Sequence, residues 1–201
     1  SPDLRAQLIK AKVKNINEVF YTHMHADQTH GINELRLFYL LYKKKINVYA
    51  NRDTLKYLKN TFSYCFTNTH NYPAFLKLNN LKKKHTLKDK IIVEPFTVDH
   101  GKVKSILYKI NNSCAYVSDV NKIYKKDYKY LVGLKYLVID CLRYNPHPSH
   151  FCYEEVINLA KILKPKKTVL INMTSEFDYD VLKSKLPKNI TPGFDGMSFL
   201  L

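Results

Sequence analysis

The stretch Thr22-His23-Met24-His25-Ala26-Asp27-Gln28-Thr29-His30-Gly31 constrains this chain more than any other. It follows the apolar run Val19-Phe20-Tyr21, so three imidazoles and a carboxylate arrive where a strand ends and a helix is about to start. In an extended segment alternate residues point the same way. His23 and His25 therefore share a side, and Asp27 follows as the chain turns toward Gly31. Imidazole nitrogen with carboxylate oxygen is a donor set suited to zinc and open to manganese or iron.

The remaining pattern alternates strands and helices. Pro2 and Asp3 open an amphipathic helix carrying Leu4, Leu8, Ile9 and Val13, and a second, apolar helix runs from Ile32 to Leu41 and stops at Lys43-Lys44-Lys45. Ile46 to Ala50 reads as a strand and Arg52 to Tyr64 as a helix. Residues 67–80 break the pattern and read as a long irregular excursion, with His70 and His85 as surface residues. Strands follow at Ile91–Val93, Phe96–Val98, Val103–Ile110, Cys114–Val117, Tyr136–Asp140 and Thr168–Ile171. Helices are predicted over Glu154–Leu163 and Asp178–Leu186, and a turn at Pro192 to Met197 leads into a last strand. His100 and Asp119 stand at the ends of apolar runs, where α/β proteins place chemistry.

The length of 201 residues suits one domain spanning 1–201, and no apolar run reaches the roughly 20 residues of a membrane span. Cys65, Cys114, Cys141 and Cys152 are widely separated, which predicts buried, reduced thiols and a cytoplasmic setting. A net charge of +16 draws the chain toward polyanions, making nucleic acid a further partner class. The lysines are spread along the chain, and no long basic exosite or aromatic-basic interleaved motif is read from it.

The residues resemble the signature of the metallo-β-lactamase superfamily, whose Thr-His-x-His-x-Asp-His run binds two metal ions. Ser1-Pro2-Asp3-Leu4-Arg5, Asp99-His100-Gly101, Ser118-Asp119, Asp140-Cys141-Leu142-Arg143, His147-Pro148-Ser149-His150 and Phe194-Asp195-Gly196-Met197 extend the likeness over almost the whole chain. The branch it looks like holds the phosphonate-operon cyclic-phosphate phosphodiesterases, related more distantly to tRNA 3′-processing ribonucleases.

The resemblance implies an α/β fold, the αββα sandwich, here without its first strands. It also implies that His23, His25 and His100 hold a first zinc or manganese ion, with Asp119 bridging to a second that Asp27 ligates. Asp27 would also lean on the attacking water, and His150 would serve as general acid. Gln28 and Asn172 stand where the family has histidines, so the second ion is expected to be weak or absent. The implied activity is hydrolysis of a small phosphodiester. A degenerate fragment, a subunit completed by an amino-terminal segment in trans, and an RNA-processing relative are the alternatives. Family members are often dimers.

Overall fold

In the computed structural model, which describes residues 1–201 with the side chain of Asp89 excepted, strands and α-helices alternate up to Asn80 and a run of successive strands then follows from His85 to Val117. The chain divides into two compact units, Ser1–Leu81 and Lys82–Leu201.

The first unit builds a parallel sheet in the order β1 (Glu18–Phe20), β2 (Ile46–Ala50), β3 (Leu76–Asn80). Parallel strands need crossovers. Here these are α2 (Ala26–Thr29), a 3₁₀ turn over Ile32–Leu35, α3 (Arg36–Tyr42), α4 (Arg52–Thr61) and α5 (Ser63–Phe66), while α1 (Leu4–Lys10) precedes β1. In β2, Ile46, Val48 and Ala50 are buried while Asn47 and Tyr49 are only partly covered, the period of two that a half-buried strand requires. Ile32, Leu35, Phe38, Leu58 and Phe75 complete this core. Asn51 caps α4, its Oδ1 accepting the Thr54 N–H at 2.9 Å.

Several expectations for this unit change. The apolar helix is split into a 3₁₀ turn and α3, and Leu37, Leu40 and Leu41 are exposed because only one stripe of a helix can face a core. In α1 it is Leu4 and Leu8 that pack on the core, whereas Ile9 is 68% exposed. The expected excursion is irregular only until Phe75. Leu76 and Leu78 alternate with Lys77 to form β3, a strand masked in the sequence by the polar Asn79-Asn80.

The second unit is a seven-stranded mixed sheet in the order β10-β9-β8-β7-β6-β5-β4. Its strands are β4 (His85–Thr86), β5 (Ile92–His100), β6 (Val103–Ile110), β7 (Cys114–Val117), β8 (Tyr136–Asp140), β9 (Lys167–Ile171) and β10 (Ile190–Pro192). β7, β8, β9 and β10 run parallel, and β6 lies antiparallel to both β5 and β7. β5 therefore runs in the same direction as β7, and the carboxyl ends of β5, β7, β8 and β9 meet one edge of the sheet. β8, central and paired on both sides, buries Leu137, Val138, Ile139 and Asp140 in succession. Such a near-continuous run is what a parallel strand covered on both faces carries. α6 (Tyr153–Leu163) supplies Val156, Leu159, Ala160 and Leu163 to this core, and Asp178 caps α7 (Tyr179–Lys185) by accepting the Val181 N–H at 2.9 Å.

The two short strands expected at Ile91–Val93 and Phe96–Val98 are one, β5. Pro95 is tolerated within it because β4 pairs only with Ile92 and Val93, leaving no neighbour on that side to miss its N–H. The closing strand lies before the Pro192-Gly193 turn as β10, not after it.

His85 is buried rather than superficial, and its Nε2 accepts the Lys82 N–H at 2.9 Å. Burial, reinforced by the Lys82 charge, lowers its pKa below 6.5. The unfolded chain therefore takes up this proton more readily, and the stabilisation present above pH ~6.5 is lost as pH falls toward the folded value. His85→Gln retains an acceptor without titrating. Thermal unfolding followed between about pH 7 and pH 5 is expected to show a smaller fall in Tm for His85→Gln than for the unaltered protein.

Candidate metal centre

In the first unit, β1 ends at Phe20 and the chain stays extended to His25, whose φ of −63° and ψ of 156° precede α2. His23 is fully buried and His25 exposed, and the extended backbone brings His23 Nε2 and His25 Nδ1 to 2.9 Å. Thr22 Oγ1 lies 3.2 Å from His23 Nδ1, holding the far side of that ring. Thr29 Oγ1 donates to the His25 carbonyl at 2.9 Å and fixes the turn into α2. His30, third of the imidazoles in the motif, faces elsewhere: its ring meets Phe62 edge-on and its Nε2 lies 3.4 Å from the Tyr57 hydroxyl.

Asp27 is exposed, and the Gln28 amide donates to its Oδ2 at 2.7 Å. Partial burial works to raise the Asp27 pKa, but the Gln28 hydrogen bond, its own backbone N–H and the charges of His23 and His25 prevail and lower it.

The second unit carries its own donor group at the shared sheet edge. His100 ends β5, Asp119 follows β7, and His150 comes from the loop after β8. Their donor atoms all lie within 4.8 Å of one another. The His100 ring is buried, and its Nδ1 lies 2.6 Å from the Ser149 carbonyl. A carbonyl only accepts, so Nδ1 carries the proton and Nε2 is left with its lone pair, the tautomer a metal ligand needs. Gly101 turns the chain after His100 at φ +59°, where a side chain would press on Ser149.

His150 is held by Asp140, a residue to which the family resemblance assigns no role. Its Nδ1 lies 2.7 Å from Oδ2 of Asp140, the fully buried carboxylate that ends β8. The same oxygen accepts the Val120 N–H at 3.0 Å. Burial raises the Asp140 pKa, with the His150 and Val120 hydrogen bonds opposing it. The loop bearing His150 is pinned at its neck, where Leu142 N–H donates to Phe151 O at 3.0 Å and Phe151 N–H to Val120 O at 2.7 Å. The signal in the sequence was an acid closing an otherwise apolar strand.

Gln28 and Asn172 act alike in separate units. Each turns a carboxamide N–H onto a carboxylate: Gln28 onto Asp27, and Asn172 Nδ2 onto Asp119 Oδ2 at 3.1 Å, where Ser118 Oγ also donates. The donor chemistry of these side chains, imidazole nitrogens and carboxylate oxygens, fits a divalent cation. No cysteine belongs to either group among the described residues. His147 is partly exposed beside His150, accepting the Ser149 N–H at 3.3 Å.

A family model described as a β-lactamase superfamily domain matches residues 1–173. A curated relative from Porphyromonas gingivalis, named octanoyltransferase, is 28% identical over 206 residues, covering all of this chain and 41% of the relative. The chain thus spans about two fifths of that relative's length. Among solved structures, a diphosphatase from the PhnP family is similar with a TM-score of 0.89 and 28% identity, over 100% of this chain and 78% of that one. Zinc-bound PqqB from Methylobacterium extorquens is similar with a TM-score of 0.74 at 14% identity, over 100% and 81%; this second likeness concerns the fold alone.

Replacement of one donor in either unit is expected to weaken metal uptake. His23→Ala and His100→Ala, each loaded with zinc or manganese and dialysed, should retain well under half the metal of the unaltered protein by elemental analysis, with far-ultraviolet circular dichroism unchanged.

Proposed function

The chain belongs to the β-lactamase superfamily, and on that premise we propose that it is a metal-dependent hydrolase acting on a phosphodiester, cyclic or nucleotide-derived. The observation that carries this reading is the proton-handling pair Asp140–His150, whose imidazole has a donor atom within 4.8 Å of those of His100 and Asp119. Support for phosphoryl-group hydrolysis comes from the PhnP-family diphosphatase, which is similar over the whole chain. The transferase activity in the curated relative's name lies with a protein of which this chain spans 41%, and water-activating donors suit hydrolysis.

The residues that would hold zinc or manganese are His23 and His25 of the first group and His100 and Asp119 of the second, as the family resemblance implies. Bound there, such an ion makes water nucleophilic near neutral pH and offsets charge on the phosphate. The protein's own side chains do the rest. Asp140 keeps the proton of His150 Nδ1 in place, so that Nε2 is the nitrogen that protonates the departing oxygen. Asp27, held ionised, accepts a hydrogen bond from the attacking water and orients it.

One firmly held ion is the stoichiometry this arrangement supports. Asp27 and Asp119 would ligate a second, yet each already receives an amide N–H, and amide groups are weak neutral substitutes for imidazole. The four buried thiols Cys65, Cys114, Cys141 and Cys152 support a reducing, cytoplasmic setting.

Hydrolysis of bis(p-nitrophenyl) phosphate and of a cyclic ribose phosphate, with zinc or manganese added, tests the reading. Turnover is expected to fall about 10²–10⁴-fold in His150→Ala, and the double change Gln28→His with Asn172→His should raise bound metal toward a second ion. Absence of turnover with both metals, unrescued by the double change, overturns it.

A further inference from the structure

Shortly after Asp119, the chain enters a segment dense in lysine and tyrosine. Residues 122–136 hold five lysines and one acidic residue, Asp127, together with Tyr124, Tyr128, Tyr130 and Tyr136. The structure gathers them with Lys104 and Lys109 of β6 in the same unit. The ammonium groups of Lys104, Lys122 and Lys126 lie 5.6, 5.8 and 5.5 Å from the centre of the Tyr124 ring. Lys109 and Lys129 lie 5.7 and 5.0 Å from that of Tyr130, which packs against Phe96 with centroids 5.3 Å apart and remains 44% exposed.

This surface is rigidly joined to the residue beside His100. Asp99 N–H donates to the Lys122 carbonyl at 3.0 Å, and Asn121 N–H to the Asp99 carbonyl at 2.9 Å. The Tyr124 hydroxyl donates to Asp99 Oδ1 at 2.6 Å, and Lys104 bonds the same carboxylate. Asp99 answers one of the three ammonium groups around Tyr124, and Lys109 is answered by Glu94 at 2.8 Å. Lys122, Lys125, Lys126 and Lys129 are exposed. Clustered like charges beside aromatic rings are stabilised by an anion that also presents flat faces to those rings.

We infer that Lys122, Tyr124, Lys126, Lys129 and Tyr130 form a docking track for single-stranded nucleic acid, its phosphates on the lysines and its bases on the tyrosines. An acidic peptide would use the charges and leave the rings unused, whereas a single strand uses both. The inference rests on the phosphodiester reading for its purpose and narrows that substrate to a strand held beside His100.

Fluorescence anisotropy in EDTA, with labelled oligouridylate and oligothymidylate of about twelve nucleotides, tests the track without turnover. Both strands are expected to bind, and Lys122→Glu with Lys126→Glu should weaken binding at least tenfold and reduce the slope of log K against log salt by about 1.4. The milder Lys122→Gln with Lys126→Gln should reduce it in the same sense, and Tyr130→Leu should cost more than Tyr130→Phe. Lys183→Glu with Lys185→Glu on α7 supplies the same charge change elsewhere and should have little effect. No binding at low salt, an equal loss in the α7 control, or tighter binding of a duplex overturns the track. Small-diester hydrolysis would stand after such a failure, and an inactive protein that binds strands would leave the track intact.

Discussion

The buried carboxylate of Asp140 is the contact on which the second unit's chemistry depends. It closes β8, and one of its oxygens receives both the Val120 N–H and the His150 imidazole. A carboxylate with no exposed surface is costly unless such donors compensate it. Those two bonds therefore fix Val120, which follows Asp119, and the loop that follows β8. The carbonyl of Ser149, one residue before His150, then sets the tautomer of His100. One buried charge orders three strand ends.

The parallel direction of β7, β8 and β9 makes this economical. Three consecutive strands deliver Asp119, Asp140 and Asn172 to one edge, and β5, two reversals away, brings His100 to the same edge. Helices and turns return the chain to the opposite edge each time. Loops at the delivering edge are thus free to carry polar groups, while the strands stay apolar.

Much of this was legible in the residues. The His23–His25 spacing followed from strand geometry, and β6, β7 and β8 have the bounds their apolar runs predict. Other features required partners that a sequence does not display. Pro95 marks a break in a linear reading, yet it sits within β5 because one side of that strand has no neighbour there. His85 is polar and isolated in sequence, but a backbone N–H makes its burial tolerable. Asp140 and the Ser149 carbonyl act through contacts ten and forty-nine residues away, beyond any local pattern. Against the expectation of no basic-aromatic interleaving, Lys122 to Tyr130 do interleave along the chain, and the sheet adds Lys104 and Lys109 beside the same rings.

Asp119 and Asn172 share one further trait: both sit in the left-handed backbone region, at φ +52° and +59°. Asp, Asn and His are the side chains that enter this region most readily after glycine, while β-branched residues pay heavily for it. The backbone at 172 consequently acts as a filter on composition. It admits imidazole and carboxamide on nearly equal conformational terms, so the identity of that side chain is decided by what it binds rather than by what the fold allows.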